Sequence, residues 1–137
     1  MKLVLDSSVM AKLFFKEKGS DEAIRLMELA DVNDIELLAS DLVIYEVGNT
    51  ICKNLGKKDG SRYIELLFLL NIDFIPEDNE LAAEALRQAQ KHDITYYDGI
   101  HIALGKSNKT DLITQDKELL KKFKNASSIE EILKRIE

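Results

Sequence analysis

Residues 2–9 read KLVLDSSV, an apolar run that stops at an acid and two hydroxyl side chains. Leu3, Val4 and Leu5 are consecutive and do not alternate with polar residues, the pattern of a short strand buried on both faces. Ser7 and Ser8 suit a helix start, and Val9, Leu13 and Phe14 then cover one helical face. Asp6 sits at the joint. A carboxylate at the end of a buried strand loses hydration unless it is paired, caps a helix or binds a cation. Ser7 and Ser8 could cap without a charge, so the role of Asp6 stays open at this point.

The same strand-then-helix unit recurs. Gly19 and Ser20 break the first helix, and Ala23, Ile24, Met27, Leu29 and Ala30 build a second. Residues 36–39 read as a strand, with Ser40 and Asp41 opening a helix over 42–55 that Gly56 stops. A helix over 61–70 follows, then a strand over 72–75 closed by Pro76. Leu81, Ala82, Ala85, Leu86 and Ala89 pattern an amphipathic helix. A helix carrying Asp98, a strand over 111–114, a short helix from Lys117 and a last helix over 129–136 complete the chain. Short apolar strands between longer helices predict an α/β fold with a mainly parallel sheet covered on both faces. In such sheets sites form outside the carboxyl ends of the strands, where strand order switches. Asp6 ends the first strand, and Asp116 lies just beyond a late one.

At 137 residues, 45% hydrophobic and 32% charged, the composition is that of a soluble globular protein. There is no internal repeat, low-complexity segment or linker, so residues 1–137 read as one domain. No apolar run approaches the roughly 20 residues of a membrane span, and the N-terminus reads as a strand rather than a signal peptide. The single cysteine, Cys52, excludes an internal disulfide framework and a Cys-based zinc cluster, and it reads as a core residue. A cytoplasmic location is the default expectation. The net charge of −6 argues against a nucleic-acid partner. That argument weakens if the acids hold cations, since two divalent ions would leave about −2.

Several acids carry two readings each. In TYYDGIHIALG, residues 95–105, Thr95 precedes Asp98 by three, as in a capping box with Asp in place of Glu. The other reading turns Asp98 toward a cleft shared with distant acids, and the two are compatible. Asp116 is a helix cap or a site residue. Glu46 lies near Leu42 and Val43 but also near Asn49, Thr50 and Lys53. It is either a boundary residue paired with Thr50 or Lys53, or an acid offered to a site with Asn49 one turn on. Packing is favoured for His92 and His101 over an acid–base pair, and for Tyr96 and Tyr97 over base stacking. Lys53, Lys57, Lys58 and Arg62 form the most basic local cluster.

Four segments, LDSSV, YEVGN, YYDGIHIALG and LITQD, occur in an order that resembles the PIN-domain ribonucleases, especially the VapC-like toxins of toxin–antitoxin pairs. The likeness runs from Lys2 to about Leu120. It implies a PIN-like α/β/α sandwich and catalysis by one or two Mg²⁺ or Mn²⁺ ions. It also implies an RNA substrate, a small antitoxin protein as partner, and a homodimer. By position, Asp6, Glu46, Asp98 and Asp116 match the catalytic, metal-binding acids. Ser8, Asn49 and Thr114 match polar positions that support the ligands or the substrate. Lys12, Lys16, Lys53, Lys57 and Arg62 are candidate RNA phosphate contacts, each weighed against an ordinary solvated surface. Gly99 and Gly105 replace a usual alanine, which is expected to loosen helix packing slightly without loss of ligands. Asp41 stands where proline often precedes the Glu helix.

Four gathered carboxylates repel and need cations or protons, and hard oxygen donors favour Mg²⁺ or Mn²⁺ over Zn²⁺. The expected reaction is hydrolysis of the RNA backbone by metal-activated water, leaving 5′-phosphate and 3′-hydroxyl ends. The rivals are a PIN-like module that binds RNA or an antitoxin with little catalysis, and a housekeeping RNA-processing nuclease. A haloacid-dehalogenase-type phosphatase would need a second acid where Ser8 stands. A receiver domain would need paired acids after the first strand, which are absent.

Overall fold

A computed structural model of the chain describes residues 1–55 and 59–137. The expected helix stop at Gly56, and the expected basic residues Lys57 and Lys58, lie outside the described residues. Five strands, β1 (Lys2–Leu5), β2 (Glu36–Ser40), β3 (Asp73–Ile75), β4 (Leu112–Ile113) and β5 (Ala126–Ser127), form one parallel sheet in the order β3-β2-β1-β4-β5. Alternate strand residues enter two separate cores, which is why the strands read as unbroken apolar runs. Leu3, Leu5, Leu37, Ala39 and Ile113 face one core; Val4, Leu38 and Leu112 face the other.

The first core is covered by α1 (Ser7–Phe14), α2 (Ser20–Val32), α3 (Leu42–Asn54), α4 (Gly60–Leu69) and α8 (Ile129–Ile136). The second is covered by α5 (Asn79–His92), α6 (Tyr96–Ser107) and α7 (Lys117–Lys122). This is the expected α/β/α sandwich. Among the described residues no helix is long and apolar enough to cross a membrane. The expected break between the first two helices is real, and Gly19 takes a left-handed φ of 92° there.

Several local expectations are corrected. Strand β5 was not anticipated. It is only two residues long and follows Lys124 and Asn125, yet Leu112 N donates to Asn125 O at 2.8 Å and Thr114 N to Ser127 O at 3.0 Å. Cys52 is exposed and lies outside the core. Tyr96 and Tyr97 are 38% and 61% exposed and pack edge-to-face on each other. Asp41 has a proline-compatible φ of −61°, but its N–H donates to Ile75 O at 3.0 Å and extends the β2–β3 ladder. Proline would lose that bond.

The contact of α5 with α6 also overturns an expectation. A Cβ on Gly99 would lie 2.4 Å from Ala85 O and 3.3 Å from Ala89 Cβ. Glycine therefore makes the packing closer than alanine would allow, not looser. We predict that Gly99→Ala lowers unfolding free energy by about 1–2 kcal/mol, because overpacking outweighs the gain in helix propensity. Urea denaturation checks this, and an unchanged or raised midpoint would contradict the close contact.

Candidate active site

The sheet order runs one way from β1 through β2 to β3 and the other way through β4 to β5, so strand order switches between β1 and β4. Asp6 lies on that seam. Its N–H donates to Ile113 O at 3.2 Å, and the residue is 4% exposed. Its Oδ1 accepts from Ser8 N at 2.9 Å and Val9 N at 3.3 Å, so Asp6 itself caps α1, and the two serines lie inside that helix. Ser8 Oγ donates to the same oxygen at 2.5 Å, and the buried Thr114 hydroxyl donates to Oδ2. Ser8 Oγ in turn accepts from Gln115 N at 3.0 Å, and Thr114 Oγ1 from Asp116 N at 3.1 Å. Burial pushes the Asp6 carboxyl above its ordinary value, against the pull of His101 and of these hydrogen bonds.

Asp116 caps α7, accepting from Glu118 N at 2.9 Å and Leu119 N at 3.1 Å. Both bonds fall on Oδ1, so the cap leaves Oδ2 without a hydrogen bond among the described residues. Thr95 caps α6 by accepting from Asp98 N at 3.1 Å. The reciprocal carboxylate bond that completes the box at Ser128 and Glu131 is not formed here. The Asp98 carboxyl is half-buried; burial pushes its pKa up, the charge of Asp116 adds to the rise, and Asp6 adds a further part. The charges of Asp6 and Asp116, both distant in sequence, thus act on Asp98 at the carboxyl end of the β1–β4 seam.

Glu46 projects from α3, and its Oε1 lies 2.9 Å from His101 Nε2. The expected Thr50 contact takes another form, with the Thr50 hydroxyl bonded to the Glu46 backbone carbonyl at 3.1 Å. Ser7, Ser8, Ala11, Glu46, Asn49 and Thr50 border a groove of about 380 Å³ between α1 and α3. His101 was missed as a site residue. The available signal was its place three residues after Asp98, on the same helical face. Its ring is 2% exposed. Burial alone would lower its pKa, but the Glu46 hydrogen bond and the charges of Asp6, Glu46 and Asp98 outweigh burial and raise it. His92 packs on Phe123 with ring centroids 4.5 Å apart, not with His101.

The donor set is entirely oxygen, which suits a hard divalent cation. Among the described residues no three His, Cys, Asp or Glu side chains are drawn together as a chelate. Asp6, Asp116 and Glu46 each have hydrogen-bond partners within the protein. Of the candidate phosphate contacts, Lys12 is spent locally, donating to Lys18 O at 2.6 Å and Glu17 Oε1 at 3.3 Å. Lys16, Lys53 and Arg62 are exposed. A larger cavity, about 770 Å³, lies between α5 and the end of α6, away from the four acids. There Glu84 is held at about 2 by Lys106, Gln88 and Arg87, a cluster that fastens the two helices.

Residues 3–125 match the PIN domain family. Ribonuclease VapC3 of Pyrobaculum aerophilum is 33% identical over 129 residues, covering 90% of this chain and 95% of that protein. A solved structure from the same organism is 30% identical with a TM-score of 0.69, covering 99% of this chain and 98% of the other. A toxin–antitoxin complex from Klebsiella pneumoniae contains a chain of the same fold at 17% identity, with a TM-score of 0.73 over 93% of this chain and 97% of that one. The chain belongs to the PIN domain family.

Proposed function

We propose that this protein is a Mg²⁺- or Mn²⁺-dependent endoribonuclease and the toxin of a toxin–antitoxin pair, acting as one PIN unit over residues 1–137. The observation that carries the reading is the convergence of Asp6, Asp98 and Asp116 at the β1–β4 switch, where burial raises the Asp6 and Asp98 carboxyls and the charges of Asp116 and Asp6 add to the rise at Asp98. Similarity to ribonuclease VapC3 supports RNA as the substrate, and the Klebsiella pneumoniae toxin–antitoxin complex supports a small antitoxin as partner. Phe68 and Leu69 on α4 are 58% and 78% exposed, an apolar surface that suits a protein partner or a second copy of the chain.

In this reading Asp6, Asp98 and Asp116 hold the cation, and Glu46 binds it or orients water. A bound divalent ion supplies charge neutralisation at the scissile phosphate and acidifies water for attack. Ser8 and Thr114 keep the Asp6 oxygens aimed, and Asn49, exposed beside the groove, is placed to bond the substrate. Lys16, Lys53 and Arg62 remain the exposed candidates for RNA phosphates.

Cleavage of single-stranded and structured RNA in Mg²⁺ or Mn²⁺ tests the proposal. EDTA, Asp6→Asn and Asp98→Asn are each expected to reduce the rate by about 100-fold or more. Activity that survives all three would sink the metal mechanism.

Stability separates a site role from a structural one. Asparagine at position 6 keeps an oxygen for the Ser8 and Val9 amides while removing a buried charge. Because the folded-state pKa of Asp6 is raised, the folded protein binds more protons than the unfolded chain between 3.8 and that raised value. Wild-type stability in EDTA is therefore lost through that window as pH rises. Asp6→Asn is expected to be more stable than wild type at pH 7, with the advantage vanishing below pH 3.8. Melting curves in EDTA at the two pH values measure it, and a variant less stable at pH 7 would contradict the assignment.

A further inference from the structure

We infer that His101 is a positioning residue that sets the Glu46 carboxylate for cation binding, an inference that rests on the proposed reading of the acids as a cation site. The Glu46 side chain is 35% exposed, and its hydrogen bond to His101 is its only one among the described residues. Water could hydrate that carboxylate, so the ring is not required to offset its burial. What the ring supplies is direction. An unrestrained glutamate on a helix samples many rotamers, and ordering them would be charged against binding.

His101 is suited to that task. It is 2% exposed and belongs to α6, whose Gly99 packs against the backbone of α5. An ionised carboxylate only accepts hydrogen bonds, so Nε2 carries the proton that meets Oε1. The second carboxylate oxygen stays available beside the groove. His101 Nδ1 is buried and has no partner among the described residues. A histidine kept for core stability would normally satisfy both nitrogens; this one uses a single nitrogen, on Glu46. Helix α6 thereby carries Asp98 and, one turn later, the ring that aims an acid from α3.

Mn²⁺ titration calorimetry on the full chain tests this with wild type, H101L, H101Q, E46A and the H101L/E46A double variant. H101L is expected to weaken binding by about 10- to 100-fold, with H101Q within about threefold of wild type because its amide nitrogen reaches the Nε2 position. In the E46A background, H101L should change affinity by about twofold or less, since its effect passes through the missing carboxylate. Wild-type affinity in H101L, or a penalty that adds in full to that of E46A, would overturn the inference. If H101L fails to fold, H101M, of similar volume and more adaptable shape, takes its place in the same cycle. Asp6→Asn is measured alongside. If it abolishes binding while H101L does not alter it, the role of His101 alone falls. If wild type does not bind Mn²⁺, the cation-site reading falls and takes this inference with it.

Discussion

A carboxylate held out of water at the seam between β1 and β4 organises the carboxyl end of the sheet. Asp6 closes the first strand, caps the first helix and receives hydroxyl bonds from Ser8 and Thr114. Those hydroxyls also accept the Gln115 and Asp116 amides, so the loop after β4 is shaped by the same oxygens that hold the acid. The donors reduce the cost of burying this group, yet burial still raises its pKa. The polar seam is thus connected by hydrogen bonds, and its central carboxyl is still harder to ionise than a free one.

Helix α6 is the second organising element. Gly99 lets it approach the α5 backbone, and its buried residues run without a break from Gly99 to Gly105. Long charged side chains on both helices, Glu84, Arg87 and Lys106, close the outer side of that contact. A helix so fixed is a suitable mount for Asp98 and His101, because side chains on a rigid element hold their geometry better than those on a loop.

Much of this was legible from residue order. Consecutive apolar residues in β1 and β2 announced strands buried on both faces, and the strand-end positions of Asp6 and Asp116 announced that both lie at the carboxyl edge of the sheet. Other features depend on partners that no local pattern identifies. Glu46 and His101 are 55 positions apart, so the sequence offered Thr50 or Lys53 as the nearer choices. Asp6 was given cap competitors in Ser7 and Ser8 because the exact helix start depends on backbone angles. Strand β5 exists only because β4 offers it a template. Cys52 and Tyr97 lie exposed at the surface, and hydrophobicity alone does not reveal that.

The bond from Thr114 to Asp6 spans 108 positions. Since β4 is the neighbour that completes this side of β1, a nascent chain that has not reached β4 has the first acid but not the strand that positions it. Synthesis from the N-terminus therefore delivers Asp6 long before the strand and hydroxyl that position it.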